Sequence, residues 1–187
     1  MSPAAVLFAS VLGPARLRGP AGEPPAELLW RKHLGLLVYL ARSPRRGRTR
    51  EHLIGLLWAD RTEKQARHSL SEALRVFRRA LGDERVRADV DQIRLADDAV
   101  ALDCDEFTRR RDRGDWAGAA ELVAGEFLEG LSVPGASAFE SWLMAERAAW
   151  RAQGVDALVR WSERQLAGGD APAAAATAHR ALALDPT

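Results

Sequence analysis

The longest regular pattern of apolar positions in the chain lies between Glu63 and Leu81. Its apolar residues recur at spacings of three and four, so they share one face of a helix about five turns long; they are Ala66, Leu70, Ala73, Leu74, Phe77 and Leu81. Thr62 can cap the start of this helix, and Gly82 suits its end. The opposite arc is cationic and hydrogen-bonding: Lys64, Arg67, His68, Ser71, Arg75, Arg78 and Arg79. We therefore expect an amphipathic helix with one buried stripe and one basic face.

Two shorter helices are predicted before this one. The first covers Glu27 to Ala41 and ends at Ser43-Pro44, and the apolar spacing places Trp30 in the core. The second follows Thr49, a plausible N-cap, and buries Trp58 on its inner face. Two helices joined by a brief polar turn, the latter long and basic, predict a helix-turn-helix unit.

Short alternating segments predict strands on both sides of these helices. Residues 6–11 and 16–18 are expected to form an N-terminal hairpin. After Gly82, residues 86–88 and 93–95 alternate around an aspartate-rich turn, which predicts a second hairpin with residues 100–102 as a third strand near it. A hairpin directly after a recognition-type helix is typical of a winged helix, with Arg85, Arg87 and Arg94 placed on the wing.

From Asp105 onward the pattern is wholly helical. Helices are expected over 105–113 and 116–125, over a long apolar segment from about 139 that is broken at Gly154, and over 171–184. In the last helix, Ala174 and Ala181 fit the small-residue positions of a tetratricopeptide (TPR) repeat. Because Thr187 follows directly on this helix, the chain is expected to be a fragment or to end in a capping helix.

These elements predict a mainly α fold of two domains. Residues 1–102 are expected to form a winged helix-turn-helix domain with small β-hairpins, and residues 103–187 an all-α, TPR-like helical-repeat domain.

Composition adds a marked charge asymmetry. The net charge is only +1, but residues 1–82 carry 15 Lys and Arg against 6 Asp and Glu, whereas residues 83–187 carry 12 against 20. A basic half of this kind favours a polyanion as its partner. No apolar run approaches ~20 residues and no basic stretch precedes the N-terminal apolar run, so neither a membrane span nor a signal peptide is expected. With a single cysteine, the chain fits a reducing cytoplasm.

The candidate chemistry is double-stranded DNA binding. Base edges are reached mainly from the N-terminal half of a recognition helix, which favours Lys64, Arg67, His68 and Ser71 for base readout. Arg75 and Arg78 are expected on bases or backbone, and Arg79 on phosphate. Four further arginines flank the second helix as candidate phosphate ligands: Arg45, Arg46, Arg48 and Arg50. The competing interpretation is a solvated, arginine-rich surface.

Enzymatic chemistry finds little support in the residues. The four histidines, at 33, 52, 68 and 179, have no metal-ligand spacing, and Cys104 lies in an acidic stretch that does not favour a thiolate. Neither a nucleophile elbow nor a phosphate-binding P-loop is present. We therefore expect no enzyme activity, no cofactor and no metal.

Several collinear strings resemble the SARP-type bacterial transcription regulators (antibiotic regulatory proteins). They are TREHLIGLLWAD at 49–60, ARHSLSEALRVFRRALG at 66–82, IRLADDAVALDCDEF at 93–107, GEFLEGL at 125–131, SWLMAERAAW at 141–150 and GGDAPAAAATAHRALALDP at 168–186. The resemblance covers nearly the whole chain. It departs at the wing, where the family commonly has Gly-Tyr and this chain has Gln92-Ile93.

The resemblance implies a winged helix followed by a bacterial transcriptional activator domain (BTAD). It implies a transcriptional activator whose recognition helix enters the major groove, often as two protomers on directly repeated half-sites. It further implies that the helical domain supports homodimerisation and contact with RNA polymerase, in the cytoplasm at the nucleoid. The alternative is a protein–protein interaction module, in which the winged helix no longer reads DNA and the helical half docks a partner.

Overall fold

A computed structural model describes residues 7–19 and 22–185 of the chain. It is mainly helical with two small sheets, which confirms the predicted class. The predicted positions Val6, Pro186 and Thr187 lie outside the described residues. The strands are β1 (Leu7–Ser10), β2 (Arg16–Arg18), β3 (Gly47–Thr49), β4 (Val86–Ala88), β5 (Gln92–Leu95) and β6 (Val100–Leu102). The α-helices are α1 (Arg31–Arg42), α2 (Arg50–Leu57), α3 (Glu63–Leu81), α4 (Asp103–Asp112), α5 (Trp116–Leu122), α6 (Ser137–Ala167) and α7 (Ala171–Leu184).

The described chain divides into two compact units. The first unit comprises residues up to 9 together with 17–101 and 131–143, and the second comprises 10–16, 102–130 and the residues from 144. The switch near 101 lies close to the expected limit at 102, but two short segments are exchanged between the units. The predicted division into domains 1–102 and 103–187 stays a prediction.

The first unit contains all of the sheet formed by β3, β4 and β5 and the greater part of the other sheet. In the former sheet β5 lies between β3 and β4, and both pairings are antiparallel, with Arg48 opposite Ile93 and Val86 opposite Leu95. The expected hairpin of β4 and β5 is therefore confirmed. The expected position of β6 beside it is wrong, because β6 joins the other sheet, in the order β2-β1-β6. The third strand of the hairpin sheet is β3, whose short GRT sequence lacks an apolar alternation that would reveal it.

The start of the first helix also differs from the prediction. Residues 26–29 form a single 3₁₀ turn, and α1 begins only at Arg31 after an extended Trp30. The break rotates Trp30 off the apolar face, and its side chain is 61% exposed rather than in the core. Its indole stacks on the His33 ring with centroids 5.4 Å apart. Trp58, by contrast, is buried as predicted.

Helix α3 forms as its sequence indicates. The Thr62 side chain accepts a hydrogen bond from the Gln65 amide, and the Gln65 side chain accepts one from the Thr62 amide, which together make a capping box. All six apolar residues predicted to share a face are buried. Their burial fixes the rotation of the helix, so the basic arc must face outward.

The second unit consists of α4, α5, the greater part of α6, and α7. The expected break of the long helix at Gly154 is wrong, because α6 runs without interruption from Ser137 to Ala167. Glycine is accommodated there for another reason: a Cβ atom on Gly154 would lie 2.9 Å from Leu184 Cδ2 and 3.3 Å from Val123 Cγ1. The glycine therefore allows α7 and the end of α5 to approach α6 closely.

A buried carboxylate joins α4 to the segment 10–16 within the second unit. Asp103 Oδ2 accepts hydrogen bonds from the backbone amides of Val11, at 2.8 Å, and Leu12, at 3.1 Å. Burial raises the pKa of Asp103 in spite of these donors. Among the described residues, no helix is both long and apolar enough to cross a membrane.

Candidate nucleic-acid interface

The outward arc of α3 carries every polar residue that its sequence pattern placed there. Six of these side chains are exposed and the seventh, Arg78, is half-buried; the exposed ones are Lys64, Arg67, His68, Ser71, Arg75 and Arg79. Because the buried stripe fixes the rotation of the helix, these residues form one continuous surface, which we call the basic face. An α-helix with such a face has the dimensions that the major groove of DNA admits.

Three arginines of the basic face are hydrogen-bonded to carboxylates. Arg67 donates from Nε, at 2.9 Å, and from Nη2, at 2.7 Å, to the same oxygen of Glu63 one turn earlier. Arg75 uses Nη1 to contact both oxygens of Glu72, at 2.9 and 3.1 Å. The Arg67 pair follows the spacing at which oppositely charged residues meet on a helix surface. Exposed pairs of this kind contribute little stability.

The third pair reaches outside the helix. Arg79 Nη2 donates to Glu27 of the 3₁₀ turn at 2.7 Å. The pKa of Glu27 is lowered by its hydrogen bond to a backbone amide and then by its hydrogen bond from Arg79. Arg79 is therefore held against the 3₁₀ turn that precedes α1.

The remaining members of the basic face differ in whether they form a hydrogen bond or an ion pair within the protein. Arg78 lies 3.9 Å from Asp83, and the Ser71 hydroxyl donates to the Arg67 carbonyl at 2.9 Å. Lys64 and His68 make no hydrogen bond or ion pair with any residue the structure describes. Lys64 and His68, both in the N-terminal half of α3, are thus the members of the basic face most available for a ligand.

The four arginines around the second helix do not form one cluster. Arg46 Nη1 donates to the Val100 carbonyl at 2.7 Å, so this guanidinium is directed toward the β2-β1-β6 sheet. The Arg48 guanidinium lies 5.7 Å from the centre of the Tyr39 ring. Arg45 is exposed on a turn with a positive φ of 51°. Only Arg50 approaches α3, because it lines the same groove as Arg67.

That groove lies between the N-terminal end of α2, the first half of α3 and the tip of the β4–β5 hairpin. Its lining comprises Thr49, Arg50, Glu51, Ile54, Glu63, Arg67, Leu70, Ser71, Asp89, Val90 and Asp91. Arg50 ties the hairpin to α2, since its Nε donates to the Asp89 carbonyl at 2.8 Å and its amide donates to the Asp91 carbonyl at 2.8 Å. The hairpin is therefore anchored beside the basic face.

The hairpin tip is acidic rather than basic. Asp89 Oδ1 accepts hydrogen bonds from the amides of Gln92, at 2.6 Å, and Asp91, at 3.0 Å, and these donors lower the pKa of Asp89. Val90 at the tip is 87% exposed. The acidic tip disfavours direct contact with phosphates.

Three arginines were expected on the wing. Arg85 bonds Asp98 Oδ2 at 3.0 Å and also contacts Glu84. Arg94 bonds Gln92, and Arg87 is exposed on β4. Strand β4 of the hairpin, which we call its shaft, thus carries an exposed cation, Arg87, whereas the tip carries carboxylates.

One pair of polar side chains near the site, Tyr39 and His52, could not be predicted from the sequence pattern. Tyr39 Oη lies 2.6 Å from Nε2 of His52, and the two rings stack with centroids 5.7 Å apart. Burial, and then the Arg48 charge, lowers the pKa of His52. A separation of thirteen residues along the chain gives no periodic pattern that pairs a tyrosine with a histidine, so only the packing of α1 against α2 brings them together.

Within residues 7–19 and 22–185, no group of three or more His, Cys, Asp or Glu side chains is arranged to hold a metal ion. No protein-family model matches the chain, and no curated protein matches it either.

Proposed function

We propose that this chain is a sequence-specific, DNA-binding transcriptional activator of the SARP type, acting in the cytoplasm at the nucleoid without enzymatic activity. The observation that carries the proposal is the basic face of α3, a 19-residue helix with one side buried and the other lined by cations and hydrogen-bond donors. Arginine and lysine neutralise phosphates, while arginine, serine and histidine also bond base edges in the major groove.

The arrangement around α3 supports a winged helix-turn-helix. The elements follow in the order α1, β3, α2, α3, β4, β5, and β5 lies between β3 and β4 in one antiparallel sheet. In this proposal α3 is the recognition helix and α2 the supporting helix. The β4–β5 hairpin is the wing, with Arg87 on its shaft as the phosphate contact in place of the acidic tip.

The second unit supports the activator part of the proposal. Helices α6 and α7 follow each other across a two-glycine turn, and the buried Ala174 and Ala181 of α7 occupy the positions expected for a TPR-like pair. We propose that this helical unit is the activator domain. It would support a homodimer on directly repeated half-sites and contact RNA polymerase.

The test is a selection of bound duplexes from a random library, followed by anisotropy titrations of the selected duplex at several salt concentrations. We expect a recovered direct repeat and an affinity that falls steeply with salt, because each neutralised phosphate releases counterions. Arg75→Ala should weaken binding in these titrations. If no sequence is enriched and binding is weak even at low salt, the DNA-reading proposal is wrong.

A second candidate function is a protein–protein interaction module. It is favoured by two exposed leucines, Leu166 near the end of α6 and Leu182 on α7, which are 62% and 63% exposed. Large apolar side chains exposed on a helical repeat are available for contact with a partner protein. The same titrations distinguish the candidates, since a docking module would neither select a sequence nor show a steep dependence on salt.

A further inference from the structure

The contact between Glu63 and Arg67 occupies one edge of the Arg67 guanidinium and leaves the other edge free. Of the five N–H donors of arginine, the Nε–H and one Nη2–H of Arg67 go to Glu63 Oε1, at 2.9 and 2.7 Å. The two donors on Nη1 and the second donor on Nη2 remain. One donor on Nη1 and the second donor on Nη2 are parallel and form the outer edge of the guanidinium, which can bond two acceptors side by side.

We infer that Glu63 is a specificity-determining residue, which reserves Arg67 for a guanine base and keeps it from the phosphate backbone. This inference rests on the proposed DNA-binding function and deepens it. The preferred ligand of the outer guanidinium edge in the major groove is the O6/N7 pair of guanine. The Glu63 carboxylate meanwhile occupies the inner edge, where a phosphate would otherwise bind, and repels phosphates that approach it.

The other paired arginine of the helix shows the opposite arrangement. Arg75 contacts Glu72 through Nη1, so the outer edge of its guanidinium is partly occupied while Nε remains available. Arg75 accordingly leaves free its Nε–Nη2 edge, which is the edge that Glu63 occupies in Arg67. The two arginines therefore present different edges, although both are exposed on the same face.

The position of Glu63 strengthens the inference. It is the first residue of α3, and the groove it lines also contains Arg67 and Ser71. This is the part of a recognition helix from which base edges are reached. Both partners are largely solvent-exposed, with side-chain exposures of 76% for Glu63 and 68% for Arg67. An exposed pair adds little stability, so its removal should leave the fold intact.

The test compares binding of the full chain to its selected duplex and to a scrambled duplex of equal length. We expect Glu63→Gln to tighten binding to the scrambled duplex more than to the selected one, so that the ratio of the two affinities falls about five- to tenfold. The salt dependence on the scrambled duplex should steepen by about one phosphate equivalent. The matched control is Glu163→Gln, which removes the same charge from an exposed position of helix α6 in the second unit. It should leave the ratio unchanged.

Arg67→Ala provides the second comparison. In that background Glu63→Gln should no longer change the affinity ratio, since the side chain that it releases is absent. If wild-type protein discriminates between the duplexes and Glu63→Gln leaves the ratio intact, or lowers it equally without Arg67, the inference is overturned while the proposed function stands. If the wild-type protein does not discriminate at all, the proposed function is overturned and the inference with it.

Discussion

Gly35 of helix α1 lies directly against the ring of Phe139. A Cβ atom built on Gly35 would be 2.8 Å from Cζ and 3.1 Å from Cε2 of that ring. Phe139 is fully buried in the first unit, so the ring is surrounded by protein and a methyl group on Gly35 would press against it. The contact explains why a residue of poor helix propensity stands in the middle of α1.

We expect Gly35→Ala to destabilise the protein by about 1–2 kcal/mol. The methyl group would overpack the contact with Phe139, and this cost should exceed the gain of up to about 1 kcal/mol from the better helix propensity of alanine. Urea unfolding followed by circular dichroism measures the difference in free energy of unfolding.

Gly55 in α2 is the matched control, because nothing lies within 4 Å of its added Cβ. Gly55→Ala should stabilise the protein by about 0.5–1 kcal/mol. A Gly35→Ala variant as stable as Gly55→Ala would contradict the close contact.

The two faces of α3 should respond differently to truncation. Phe77→Ala or Leu70→Ala should cost ~2–5 kcal/mol in the free energy of unfolding, since both side chains are almost wholly buried. Arg67→Ala and Arg75→Ala remove exposed side chains and should change stability by less than about 0.5 kcal/mol, while both should weaken binding to the selected duplex. Thermal melts and anisotropy titrations on the same preparations separate the two effects. Arginine variants that bound like wild type would place the interface elsewhere.

Asp103 should make the stability of the second unit depend on pH. Burial raises the pKa of Asp103 above its ordinary value of 3.8, so the folded protein favours the protonated acid more than the unfolded chain does. This contribution to stability is fully present below pH 3.8 and is lost as the pH rises through the raised pKa.

Asparagine resembles the protonated acid and keeps an oxygen for the amides of Val11 and Leu12. Asp103→Asn should therefore gain stability relative to wild type as the pH rises from about 4 to about 7. Urea unfolding of both proteins across that range is the measurement. The opposite trend would mean that the two amide donors outweigh the burial and favour the ionised carboxylate.

Arg180 should stabilise the end of α5. Its Nη2 donates to the carbonyl oxygens of Ala120, at 2.7 Å, and Val123, at 2.9 Å, at the helix C-terminus where a cation is favourable. Arg180→Met keeps the aliphatic stem and removes these bonds, so it should cost about 1 kcal/mol in the free energy of unfolding.

The control for that variant is Arg113→Met, on an exposed arginine whose side chain forms no hydrogen bond or ion pair with the residues that the structure describes. It should be neutral within about 0.5 kcal/mol. An equal loss in both variants would indicate a general effect of charge instead of the two carbonyl contacts.

The candidate site could be predicted where it lies on one helix. The basic face follows from the spacing of six buried residues, because helical geometry converts sequence spacing into direction. The pair of Glu63 and Arg67 is a contact of the same local kind. Glu27 and Arg79 are 52 positions apart in the sequence, and Arg46 and Val100 are 54 positions apart. Contacts at such separations depend on how elements pack, which periodicity does not encode.

The sequence by itself determined most of the helices and strands among the described residues, which side of α3 is buried, and where the cations of that helix point. These are local properties, set by backbone sterics and by the need to remove apolar side chains from water. Tertiary structure decided which strand completes the hairpin sheet, that Trp30 is exposed, and that α6 passes through Gly154 without a break. In each case a contact with a distant segment, or a short break in the backbone, outweighed the local preference. Because packing free energies of a few kcal/mol exceed propensity differences of about 1 kcal/mol, the tertiary term prevails wherever the two conflict.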